Sequence, residues 1–187
     1  MPQPLTPESR ARAPKAPAPA NLARAGRVLP VLPYPDPMLR RICEPVGLLD
    51  WTALCQLAGD LLATMYAAEG RGLAAPQIGV PHRIFVMDAG WKTGASTARV
   101  ILDPQILQHG DSWEVLTETC LSLPDRPVAV SRPARITLGC FDMMGDAQHH
   151  ELTGIEARIA QHETDHLDGR LIIDLEDRQS EQAQGNA

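Results

Sequence analysis

No apolar run in the 187-residue chain approaches the roughly 20 residues that a bilayer-crossing helix needs, and no secretory signal is visible, so no membrane partner is expected. Cysteine is sparse. Cys43, Cys55, Cys120 and Cys140 form no C-x-x-C pair and no convincing disulfide framework, which points to a reducing cytoplasm. A basic excess is missing too: 17 Lys and Arg face 23 Asp and Glu, for a net charge of −6. Five of those basic residues (Arg10, Arg12, Lys15, Arg24 and Arg27) fall within residues 1–27 against one acid, Glu8. The remainder is therefore more acidic than the whole, a poor surface for DNA or other nucleic acid. There is no internal repeat. The glycine-rich stretch at 70–79 has no G-K-[ST] and follows no strand, so it is not a phosphate loop.

What remains is enough for one domain with a proper core. Residues 1–27 are rich in Pro, Ala and Arg and are expected to be a disordered tail. An organelle-targeting peptide is the second reading, against which Pro2, Pro4 and Pro7 argue. The body is placed at 28–175 and a polar C-terminal tail at 176–187. Tyr34-Pro35-Asp36-Pro37 reads as extended or turn. Asp50 is a plausible N-cap for a helix to about Ala68, with Leu54, Leu57, Ala58, Leu61, Leu62 and Met65 as its apolar stripe. Strands are expected at 83–88, 99–102, 112–117, 128–131 and 134–141, with turns at 90–96 and 142–146. The layout predicts an α+β fold: short, mostly antiparallel strands packed around a C-terminal helix.

That helix carries the chemistry. Thr153-Gly154-Ile155-Glu156 has the form of a capping box, and Gly169 stands where a helix end favours a left-handed residue. Between them lies Gln161-His162-Glu163-Thr164-Asp165-His166, which contains H-E-x-x-H. Histidines at i and i+4 share one helical face with Ile155 and Ile159, and can hold one metal ion. Glu163 beside the first can then handle protons for a water on that metal. A catalytic metal needs a third protein ligand. The slot used by metzincins holds Ile172, and little chain follows in which a later ligand could lie. The third ligand is expected upstream, among Cys43, Cys55, Cys120, Cys140, His82, His109, His149 and His150. Of these, Cys43, Cys55 and Cys140 read as buried filler. His149 and His150 read as solvated, and His82 and His109 as loop residues. Asp165 and Asp168 read as supporting or capping groups.

Three stretches stand in order: G-x-G-L-A-A-P-Q at 70–77, E-x-C-L-S at 118–122 and Q-H-E-x-D-H at 161–166. In that order and spacing they resemble the peptide deformylases, over about residues 28–174. The resemblance implies a metallohydrolase that removes the formyl group from N-formylmethionyl peptides of newly made proteins. It makes Cys120 the third ligand with His162 and His166. Such a set suits zinc, nickel, cobalt or iron(II), and the family implies iron(II). By the same resemblance Glu163 moves the proton, while the Gln77 amide and the Leu121 backbone N–H hold the oxyanion. Arg71, Gly72, Thr119, Ile155 and Ile159 would meet the peptide, with the backbone near Arg71 and Thr119 pairing as an added strand. The partners are then formylated nascent peptides, with transient ribosome contact. Two alternatives keep the fold and change its use. One is an amidase of altered N-acyl or side-chain specificity, the other a non-catalytic peptide- or ribosome-binding member. The sequence departs from the family at three points. Arg71 replaces an apolar residue of the methionine pocket, either reaching solvent or changing that pocket. Thr119 replaces Gly. Pro127 stands where Arg is usual, beside Arg126.

Overall fold

The computed structural model describes residues 15–176; the tails expected over 1–14 and 177–187 lie outside them. The first described helix, α1 (Pro19–Ala25), overturns the expectation of disorder over 19–27. Leu22 is 5% exposed and packs into the core beneath the second helix, α2 (Trp51–Ala67). At the end of α1 the backbones touch: a Cβ on Gly26 would lie 2.0 Å from the Gly59 carbonyl oxygen. The Arg27 backbone N–H and Nη2 each donate to the Asp60 carboxylate at 2.7 Å. By composition this segment has little to bury. One leucine and two ion-paired or close-packed positions suffice because α2 supplies the complementary surface.

α2 forms where the sequence places it. The Asp50 carboxylate accepts from the Ala53 N–H at 2.8 Å, satisfying one of the free amides of the first turn. Its stripe is buried at Leu54, Ala58, Leu61, Leu62 and Met65, and half-buried at Leu57.

Seven strands follow: β1 (Gly72–Ala74), β2 (Ile84–Met87), β3 (Arg99–His109), β4 (Trp113–Cys120), β5 (Leu123–Pro133), β6 (Arg135–Phe141) and β7 (Ala147–Thr153). Their pairing is antiparallel throughout, in a five-stranded sheet of order β1-β2-β3-β6-β7 and a separate hairpin β4-β5. A third helix, α3 (Gly154–Leu167), lies against the sheet. Strand β2 explains the layering. Ile84 and Val86 pack toward the α2 side, while Phe85 and Met87 join Ala157, Ala160 and Leu167 of α3. Both faces are covered, so its sequence is an unbroken apolar run rather than an alternation.

Three details depart from the sequence reading. Strand β7 is an addition to it: Gln148-His149-His150-Glu151 is polar because the strand pairs only with β6, at the sheet edge. His149 and His150 are therefore strand residues, and His109 ends β3 rather than lying in a loop. β3 runs well past Leu102, with register shifts after Leu102 and Ile106 that accommodate Pro104. The capping box at Thr153 does not form: Thr153 closes β7 without a side-chain cap bond, and Glu156 pairs with Arg99 at 3.3 Å instead. Gly169 does take the left-handed conformation, at φ 69°.

Candidate metal centre

Two elements converge on one point. α3 sets His162 and His166 one turn apart, their ring centroids 5.0 Å from each other. The end of β4 brings Cys120, whose Sγ lies 3.3 Å from His166 Nε2. One ligand atom from each of these three residues falls within 4.8 Å of the others, the one such group among the described residues. Cys43 and Cys140 are buried, and burial pushes each thiol up to about 11, away from thiolate character.

The donor set fits a divalent metal on two counts. The atoms are a thiol sulfur and two imidazole nitrogens, the ligands of borderline-soft ions. The first imidazole also has its roles fixed. His162 Nδ1 sits 2.9 Å from Glu118 Oε2, which leaves Nε2 for the trio and sets the tautomer. Glu118 shares the face of Cys120 because residues i and i+2 of a strand point the same way. It is 6% exposed and holds three partners: His162, Arg132 Nε at 2.6 Å and Arg158 Nη1 at 2.8 Å. Burial alone would raise its carboxyl, but the bonds from His162 and Arg132 outweigh that and hold it down to about 2. Arg132 continues to Asp165 at 2.8 Å, and Asp165 to Arg170 at 3.1 Å. Asp168 pairs with Arg83 at 2.6 Å, so neither aspartate joins the ligand trio.

Glu163 is 4% exposed, and its Oε2 has no hydrogen-bond partner. Burial pushes this carboxyl up to about 7. Its other oxygen lies against β1. A Cβ on Gly72 would come within 2.3 Å of Glu163 Oε1, so only glycine fits there. Gln77 is equally fixed. Its Oε1 accepts from the Ala74 N–H at 2.9 Å, which turns Nε2 toward Ser122 Oγ at 3.2 Å and Cys120 Sγ at 3.8 Å. Leu121 follows Cys120 in the two-residue turn between β4 and β5.

A cavity of about 620 Å³ opens onto this centre. Gln77, Cys120, Leu121, His162 and Glu163 line its base, and Arg71, Gly72, Thr119, Ile155 and Ile159 its walls. All the sequence-predicted site residues except His166, which is 1% exposed behind the others, thus border one space. Arg126 does not: it pairs with Glu176 at 3.0 Å on the surface. β1 is an edge strand. The Arg71 carbonyl just before it is used by the Asp88 N–H at 2.9 Å, so by alternation the Gly72 amide and carbonyl face the open side. Sequence reasoning leaves Ser122, Arg132 and Arg158 without roles. Glu118 and Ser122 stand inside a recognisable motif, but their partners come from distant strands and helices.

The polypeptide deformylase family model matches residues 28–182. A peptide deformylase of Mesorhizobium japonicum is 42% identical over 147 residues, covering 79% of this chain and 83% of that protein. Among solved structures, a peptide deformylase from Synechococcus elongatus in complex with actinonin superposes with a TM-score of 0.73 at 34% identity, over 79% of this chain and 78% of that one. The Met-Ala-Ser-bound class I type b peptide deformylase of Acinetobacter baumannii does so with a TM-score of 0.73 at 31% identity, over 80% and 98%. Family model, relatives and fold agree with the three motifs: the chain belongs to the polypeptide deformylase family.

Proposed function

We propose that this chain hydrolyses the formyl group from the N-formylmethionyl peptides of newly made proteins, using a divalent metal held by Cys120, His162 and His166. The observation that carries the reading is the unpaired Glu163 carboxyl beside that trio, at the base of a cavity bordered by a free strand edge. When bound, the metal supplies a Lewis acid and lowers the pKa of a water toward neutrality. Glu163, with its carboxyl raised to about 7, is suited both to take a proton from the attacking water and to give it up. It passes that proton to the departing amine, so that water and formamide become formate and a free N-terminus. Gln77 Nε2 and the Leu121 N–H are the donors assigned to the oxyanion of the tetrahedral intermediate. The open side of Gly72 pairs with the substrate backbone as an added strand. The Acinetobacter baumannii relative, which holds Met-Ala-Ser, supports a peptide in this cavity. Iron(II) is the working metal by family resemblance, and zinc, nickel and cobalt suit the same ligands. Among the described residues no helix is long and apolar enough to cross a membrane, and we place the reaction in the cytoplasm, where formylated chains are made.

The test is formate release from formyl-Met and acetyl-Met peptides by anaerobically purified protein of known metal content. Formate from the first and no acetate from the second is expected. Metal-loaded protein that releases neither would reject the reading. Equal cleavage of both would favour a broader amidase.

A further inference from the structure

Arg71 and Lys92 both line the cavity. The other cation of the wall, Arg158, is neutralised by Glu118. Arg71 is half-buried, and among the described residues its side chain has neither a hydrogen bond nor an ion pair. Glu69, also in the lining, is exposed and stands beyond ion-pair distance of both cations. Lys92 is not on a loose loop. Its Nζ lies 5.5 Å above the Trp91 ring, and Trp91 Nε1 donates to the Gly70 carbonyl at 2.7 Å. Trp91 also packs edge-on against Tyr66, with centroids 5.3 Å apart, and the Tyr66 hydroxyl donates to Asp88 at 2.8 Å. The turn that carries Lys92 is thereby tied to the residue before Arg71. Among the described residues, two cations without acidic partners thus line the space where a peptide would lie.

A half-buried guanidinium is costly to desolvate without a partner, and a ligand carboxylate supplies one in the geometry that arginine matches best. Resting on the deformylase reading, we propose that Arg71 and Lys92 select formylated substrates that carry a carboxylate in this cavity. Its source is either an acidic side chain or the terminal carboxylate of a short formyl peptide.

The experiment compares kcat/KM for formyl-Met-Ala-Ser amide, the same peptide with a free carboxylate, formyl-Met-Glu-Ser amide and formyl-Glu-Ala-Ser amide. At least one carboxylate-bearing peptide should exceed the neutral amide by about tenfold, chiefly through KM, with the ratio shrinking as salt rises. The arm that gains identifies the source. Arg71→Ile should collapse the ratio, Arg71→Lys should keep part of it, and Lys92→Ala should reduce it. Calorimetric Kd values for the deformylated products should show the same order without turnover. Formate release with no carboxylate preference, or a preference unchanged in both Arg71→Ile and Lys92→Ala, overturns this inference alone. No formate from any peptide overturns the deformylase reading, and this inference with it.

Discussion

Glu118 gathers one imidazole and two guanidinium groups in a space from which water is nearly excluded. Removing a member of such a set leaves the others charged and unpartnered. Arg132→Met should therefore cost about 3–5 kcal/mol, measured by urea denaturation of metal-free protein. Glu118→Gln should weaken metal binding about 10–100-fold, read by chelator competition, because His162 exchanges a charged carboxylate acceptor for a neutral amide. Full affinity in that variant would mean that His162 is positioned by packing alone. His162→Ala should strip the metal outright by elemental analysis. Glu163→Gln should keep the metal and lose turnover by roughly 10²–10⁴ or more. That Cys120, His162, Glu163 and His166 belong together is legible in the sequence because they stand within short, recognisable motifs, and the fold does bring them together. Arg132 and Arg158 are not, since a charge whose partner lies on another element leaves no period in the sequence.

At the scale of elements, the same contrast holds for α1 and the edge strands. α2 and α3 announce themselves through an N-cap, apolar periodicity and a histidine pair. α1 has one buried leucine, so only tertiary contact reveals it, and β7 lacks the alternation of a half-buried strand because its residues are polar and lie at an edge. The contact at α1 is nonetheless specific. Leu22→Ala should cost on the order of 2 kcal/mol. Gly26→Ala should cost about 1–3 kcal/mol, because the clash is with backbone that cannot rotate away. Thermal denaturation of each against the parent checks both, and unchanged midpoints would mean that α1 is not docked in solution. Gly72→Ala belongs to the centre instead: it should displace Glu163 and depress kcat while leaving metal content intact.

For the whole molecule, the buried carboxylates set the response to acid. Glu118 is held down to about 2 from an ordinary 4.5, and Asp60 and Asp88 are also lowered. For Asp60 and Asp88 burial opposes the shift; hydrogen bonds from Arg27 and Gln56 overcome it in the first, and from Ser96, Thr97 and Tyr66 in the second. A depressed folded pKa means that the unfolded chain binds the proton more readily. The stability these groups confer is complete above about pH 4.5 and is lost as the pH falls toward about 2. Urea midpoints of metal-free protein should drop steeply as the pH falls below that value; a flat profile down to about pH 3 would contradict the network. The fold class itself is readable, because short strands between two periodic helices leave few layered arrangements. Which strand pairs with which is not, since β4 and β5 pair apart from a sheet whose order skips over them. That separate hairpin has a further consequence. Cys120 and His166 lie 46 residues apart, one at the hairpin and one near the end of α3. An N-terminal fragment that ends before His166 lacks one of the three donors that converge in the fold. The grouping of Cys120, His162 and His166 is thus complete only once α3 has been made and packed: the candidate centre of a family that acts on newly made chains is itself among the later parts of its own chain to be made.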